Sequence, residues 1–223
     1  MPVDRLESIA EHIRASFDAY TAARERALAQ ARTLTRHCAH AIRAIHRDEL
    51  ELAKDKLEKA RELAKSLRTE LAEYPSLYFA GYTQDALKEY AEANIVLALV
   101  TNGELPTPAD ISLEENTYLK GLAEAVGELR RRCLDILRHG HSQEAERLLS
   151  HMDEIYAVLV TMDYPDAVTG GLRRLTDVCR GITERTRGDV TLSLRQQRLE
   201  EALRRVEKNL LDSASSLDAS SKK

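Results

Sequence analysis

The run Thr83-Gln84-Asp85-Ala86-Leu87-Lys88-Glu89-Tyr90-Ala91-Glu92-Ala93-Asn94-Ile95-Val96-Leu97-Ala98-Leu99-Val100 decides the fold class. Ala86, Leu87, Tyr90, Ala91, Ala93, Ile95, Val96 and Leu97 occupy most sides of a helix with no Gly or Pro inside it, the pattern of a buried helix. Asn102-Gly103 ends it, and Pro106 and Pro108 stiffen a loop to about Ser112. Upstream, Tyr74-Pro75 breaks the chain, and Gly81 delays the next start to about Thr83, a candidate cap.

A helix buried on most sides needs helical neighbours, and the rest of the chain supplies them. Leu6, Ile9, Ile13 and Phe17 recur at three and four from Val3, and the pattern continues through Leu34, Cys38, Ile42 and Ile45. His46-Arg47-Asp48 reads as a tight turn, with Asp48 the candidate N-cap of a second helix ending near Glu73. That helix pairs Glu51 with Lys54 and Asp55 with Lys59, as solvated faces do. After the buried third helix, a fourth is expected from about Asn116 to His139, stopped by Gly140. A fifth starts at His141 or Ser142 and ends near Asp163; a sixth spans about Pro165 to Arg187, stopped by Gly188-Asp189; a seventh spans about Val190 to Asp212. With short turns and no internal repeat, this predicts an all-α, single-domain seven-helix bundle over residues 1–212, followed by a Ser-rich tail at 213–223.

Composition agrees. The chain has 223 residues with 9 Gly, 5 Pro, no Trp and 4% aromatics, which suits helices better than strands and turns. Charged residues reach 31% and hydrophobic ones 43%, enough apolar surface for a core and too much for wholesale disorder. The longest apolar run, Ile95 to Val100, is far short of a membrane span, and the acidic N-terminus lacks an apolar leader core. Cys38, Cys133 and Cys179 form no C-x-x-C pair and sit in apolar helical contexts, as expected of buried thiols in a reducing cytoplasm. The formal charge of −4 argues against a uniformly basic surface but leaves room for a local patch or the inner wall of an oligomer to attract nucleic acid.

No phosphate-binding Gly loop, nucleophile elbow or H-E-x-x-H is present. His37 and His40, three apart on a helix, have no evident third ligand and read as ordinary helix histidines. The carboxylates are more informative. Asp85, Glu89 and Glu92 share one stripe of the third helix; Glu124 and Glu128 share another on the fourth, opposite Leu122, Ala125, Leu129 and Cys133. Such stripes either face water, as helix glutamates commonly do, or converge on a hard cation such as Mg²⁺ or Mn²⁺ that prefers oxygen ligands. Arg43, His46 and Arg47 place cations at the end of the first helix. Arg130, Arg131 and Arg132, with Arg173, Arg174 and Arg180, add others that serve equally as phosphate contacts or as surface charge.

The segments Lys88-Glu89-Tyr90-Ala91-Glu92-Ala93 and Gly121-Leu122-Ala123-Glu124-Ala125-Val126-Gly127-Glu128-Leu129 resemble the E-Y-x-E-A and G-x-A-D-x-x-G-E-L motifs of the translin superfamily. The likeness is to the branch of translin-associated factor X (Trax) and its prokaryotic, mainly archaeal, relatives. Tyr164-Pro165-Asp166-Ala167, Gly170-Gly171-Leu172-Arg173-Arg174, Asp177-Val178 and Arg180 resemble the archaeal members' penultimate helix, and Ile42 to Arg47 is similar to the family's first-helix end. The resemblance spans about Arg36 to Leu210. The basic stretch of the largely inactive translin branch has no counterpart here, since Ser76 to Gln84 contains no Lys, Arg or His.

The resemblance implies a metal-dependent endoribonuclease acting on single-stranded RNA, and on single-stranded DNA in some members, inside a hollow homo-oligomer of six or eight chains. It implies that Glu89, Glu92, Glu124 and Glu128 are the catalytic and metal-binding residues for Mg²⁺ or Mn²⁺; with such a site, the cations Arg43, His46 and Arg47 are expected to guide the strand by its phosphates. Glu124 stands where the family has aspartate, one methylene shorter, which implies weaker activity or a preference for Mn²⁺. A non-catalytic, translin-type oligomer that binds single-stranded nucleic acid is the alternative, and a helical adaptor without nucleic acid the third reading. The expected location is cytoplasmic, with no membrane partner.

Overall fold

The computed structural model describes residues 5–140 and 142–220, with side chains described to residue 210 except that of Ser142. Among them are eight helices and no strand: α1 (Leu6–His46), α2 (Leu50–Glu70), α3 (Pro75–Tyr78), α4 (Gly81–Val100), α5 (Glu115–Leu137), α6 (Ser142–Val160), α7 (Asp166–Thr169) and α8 (Leu172–Ser220). The all-α single-domain bundle is as the sequence predicts. α1 packs on α2 and α4, α4 on α5, and α5 on α6 and α8, so α4 and α5 form the middle of the molecule.

The central pair is buried because its sequence is apolar where it must be. Leu87, Tyr90, Ala91, Ala93, Ile95 and Val96 on α4, with Ala125, Val126, Leu129 and Cys133 on α5, are withdrawn from solvent, and Leu34, Cys38, Ala41 and Ile45 of α1 close the core from the other side. Ala41, Ala91, Ala93 and Ala125 among them leave room for the helices to approach closely. The three cysteines are free and buried.

The helix boundaries differ from expectation in four places. Asp48 does not cap α2: it takes a left-handed backbone (φ 60°), Glu49 occupies the N-cap position without a side-chain bond, and the Asp48 carboxylate pairs with Arg132 on α5. Thr83 does not cap α4, which begins at Gly81; its hydroxyl donates to the Leu77 carbonyl at 2.8 Å. The expected sixth helix is interrupted at Gly170 and Gly171, both at positive φ, where Asp166 Oδ1 accepts the Gly171 N–H. Gly188-Asp189 breaks nothing, and the expected sixth and seventh helices are one, α8. Thr183, Thr186 and Val190 are buried around that point, and Arg130 of α5 bonds both Thr186 Oγ1 and Asp189 Oδ2. This anchoring outweighs the roughly 1 kcal/mol that a helical glycine costs. The Ser-rich segment 213–223 falls where side chains are not described, and residues 221–223 lie outside the described backbone.

Gly121 sets the spacing of α4 and α5. A Cβ there would stand 2.6 Å from Ala91 Cβ and 2.9 Å from both the Glu92 nitrogen and the Lys88 carbonyl oxygen, two of the three being rigid backbone. A Cβ on Gly127, six residues on, meets nothing within 4 Å. Gly121→Ala therefore lowers stability by about 1–3 kcal/mol, whereas Gly127→Ala raises it by up to about 1 kcal/mol. Urea unfolding of the two variants reads the opposite signs.

Candidate metal centre

The close approach at Gly121 brings the acidic stripes of α4 and α5 together. One carboxylate oxygen from each of Glu89, Glu92 and Glu124 lies within 4.8 Å of the others, the only grouping of metal-ligating type among the described residues. Oxygens this close together could be drawn onto one small divalent ion by modest adjustment of the half-buried Glu89 and Glu124 side chains. The donors are all hard oxygens, which suits those ions and not a thiophilic metal.

Burial makes the cluster electrostatically unsettled. Glu92 is 7% exposed, and burial, followed by the charges of Glu89, Glu124 and Glu128, pushes its pKa up to about 8 against the pull of Lys88. Burial also raises Glu89, opposed by Lys88 and reinforced by Glu124 and Asp85. Cys38 of α1 lies near enough to feel both glutamates, and its burial holds the thiol strongly protonated.

The other expected site residues are placed differently. Glu128 stands outside the trio: His46 Nε2 donates to its Oε2 at 2.5 Å, and Arg131 lies 3.6 Å away. The His46 hydrogen bond, outweighing burial, keeps the Glu128 carboxyl below its ordinary range. His46 is itself only 4% exposed in its side chain, which takes it out of direct reach of a phosphate; it ties the end of α1 to α5. Arg43 and Arg47 remain exposed on either side of it. Asp85 is exposed and joins no ligand group. Of the arginine triplet, Arg130 is bound to α8 and Arg132 to Asp48 and the His46 carbonyl, so two of the three serve the fold. His37 and His40 belong to no metal-ligating group among the described residues.

Lys88 is the residue that spacing arguments overlooked. Its Nζ donates to Glu124 Oε1 at 2.7 Å. Burial works against its charge, but Glu124, with Glu89 and Asp85, holds the ammonium above its ordinary pKa. The signal was available, because Lys88 lies four residues before Glu92 and so on the same face of α4.

Two touching helices with three carboxylates meeting between them define an all-α protein of carboxylate-cluster type. The Translin family profile matches residues 8–214, and the chain belongs to that family. It is 36% identical over 186 residues to the uncharacterized protein MJ0175 of Methanocaldococcus jannaschii, an archaeal relative, covering 82% of each chain. Among solved structures it resembles AfC3PO in complex with duplex RNA, at 35% identity and a TM-score of 0.77, over 82% of this chain and 95% of that one. AfC3PO alone matches at 34% identity and a TM-score of 0.76, over 82% and 96%. Apo-NeC3PO shares the fold at 18% identity and a TM-score of 0.76, over 82% and 96%. No helix among the described residues is long and apolar enough to cross a membrane.

The raised pKa of Glu92 has a sign that can be checked. Its unfolded value is near 4.5 and its folded value about 8, so the folded chain binds the extra proton. In metal-free protein this group's effect is to let stability fall as pH rises from about 4.5 through 8 and then level off. Glu92→Gln removes that slope and raises the melting temperature by about 5 °C or more at pH 8, with little change at pH 4.5. Thermal unfolding in chelator at the two pH values measures it.

Proposed function

We propose that this chain is a metal-dependent endoribonuclease of the Trax type, working as a homo-oligomer whose carboxylate clusters act on RNA held inside it. The meeting of Glu89, Glu92 and Glu124 oxygens across the α4–α5 contact carries the proposal. Three glutamates sunk between helices at a cost in stability are more than a solvated face requires.

These three residues would hold Mg²⁺ or Mn²⁺. Such an ion, when bound, supplies a nucleophilic water at neutral pH and neutralises phosphoryl oxygens. The chain's own groups do the rest. Glu92 is the deeply buried ligand and Glu89 and Glu124 the half-buried ones, so the open side of the cluster faces the solvent from which a phosphodiester arrives. Glu128, drawn off by His46, supports the centre as a nearby fixed negative charge. Arg43 and Arg47, exposed at the end of the helix that carries His46, attract the strand's phosphates without reading its sequence. Aromatic residues are too few for extensive base stacking, so sequence preference is weak. Single-stranded RNA is the proposed substrate, with single-stranded DNA acceptable to the same chemistry. The AfC3PO–duplex RNA complex recommends testing a duplex beside the single strand.

Assembly is supported by two apolar rows exposed among the described residues. Leu6, Ile9, Ile13 and Phe17 lie exposed along the first turns of α1, Phe17 at 68%. Leu192, Leu199, Leu203, Val206 and Leu210 lie exposed along α8 at steps of seven, four, three and four, the spacing of a helix–helix seam. Rows of this length on exposed helices fit further copies of the same chain.

Glu89→Gln with Glu92→Gln abolishes Mg²⁺- or Mn²⁺-dependent cleavage of labelled RNA, by at least about 100-fold, while retention of RNA on a filter persists. Wild-type protein that retains RNA in a salt-sensitive manner but never cuts it gives the site to a non-catalytic, translin-type binding role. For the assembly, Leu199→Glu with Leu203→Glu yields smaller particles than wild type in sedimentation at unchanged helicity. A wild-type chain sedimenting at 25.1 kDa removes the oligomer.

A further inference from the structure

Lys88 lies between the two acidic helices as a resident cation. Its side chain is 17% exposed, and its Nζ reaches Glu124 Oε1 from across the α4–α5 contact. It has given up most of its water for carboxylates: Glu124 in direct contact, Glu89 and Asp85 at longer range. With Glu89, Glu92 and Glu124 all ionised, this one positive charge leaves the cluster a net charge of two, negative, which one divalent ion neutralises. An ion that takes Glu124 as a ligand and an ammonium that hydrogen-bonds the same carboxylate repel each other at short range. The lysine stem is long enough to swing its head away while its methylenes stay packed.

We propose that Lys88 is the exchangeable cation of this centre: it holds Glu124 in place until a divalent ion takes that carboxylate, and the released ammonium then contacts a non-bridging oxygen of the phosphodiester. This role depends on the metal-dependent reading of the cluster. It differs from that of a plain ion pair between α4 and α5, whose removal would loosen the helix contact and weaken metal uptake and cleavage together. An exchangeable cation gives effects of opposite sign, because it competes with the metal and assists the substrate.

The test compares wild type, Lys88→Met and Lys88→Gln, with Glu124→Gln as the ligand control, all stripped with chelator and matched for helicity. Mn²⁺ uptake is followed by electron paramagnetic resonance, and cleavage of labelled single-stranded RNA is measured in single turnover at saturating Mn²⁺. Both Lys88 variants bind Mn²⁺ about three- to tenfold more tightly than wild type, and Glu124→Gln binds it more weakly. With the ion site full, both Lys88 variants cleave at least about tenfold more slowly. Mn²⁺ bound no more tightly by either variant overturns the competition and leaves the metal centre standing. Cleavage undiminished at saturating Mn²⁺ overturns the phosphate contact. A wild-type chain that takes up no Mn²⁺ overturns the metal centre, and Lys88's role with it.

Discussion

Because residue 121 carries no Cβ, α5 lies directly against the backbone of α4 at Lys88 and Glu92. That contact is the constraint on which the centre depends. Two helices kept a methyl group further apart would still be amphipathic and would still bury leucines and alanines. Their glutamates would point across a wider gap, and the oxygens of Glu89, Glu92 and Glu124 would no longer lie within 4.8 Å of one another. The close approach also sinks Glu92 to 7% exposure, so the same feature that brings the carboxylates together desolvates one of them.

The surrounding helices hold this arrangement from both ends. His46 closes the α1–α5 side by its bond to Glu128, and Arg132 adds a second tie there through the His46 carbonyl and Asp48. On the far side of α5, Arg130 reaches α8 at Thr186 and Asp189, and Cys179 of α8 lies on the Ala123 carbonyl, one residue before Glu124. The α5 segment that carries the acidic residues is therefore fixed to α1, α4 and α8 together. A carboxylate set mounted on packed helices keeps its geometry better than one mounted on loops.

Period-3.6 patterning makes the helices legible in the sequence, and the i, i+4 spacing makes the acidic stripes legible. Local signals fail where a long-range contact overrides them. Gly188-Asp189 carries the local signature of a stop, yet Arg130, distant in sequence, grips both sides of it. Asp48 has the composition of a cap, yet Arg132 offers its carboxylate a stronger partner than a backbone N–H. The same holds inside the site. Glu124 and Glu128 are equivalent by spacing, and only the approach of His46 from another helix separates the cluster member from the outlier. Lys88 is adjacent to Glu89 in sequence, but its pairing with Glu124 exists only once α5 has docked.

Charge separates function from scaffolding here. A bundle selected only for packing would place Leu or Met where the buried Glu92 stands, and would be the more stable for it. Instead the chain buries a carboxylate whose ionisation is so disfavoured that its pKa reaches about 8, surrounds it with Glu89, Glu124 and Glu128, and supplies Lys88 as the close cation to the cluster. A single ammonium cannot satisfy three carboxylates, each with two acceptor oxygens. That imbalance between charge and solvation, kept at the point where the two helices meet, is what supports the metal-binding role proposed for Glu89, Glu92 and Glu124.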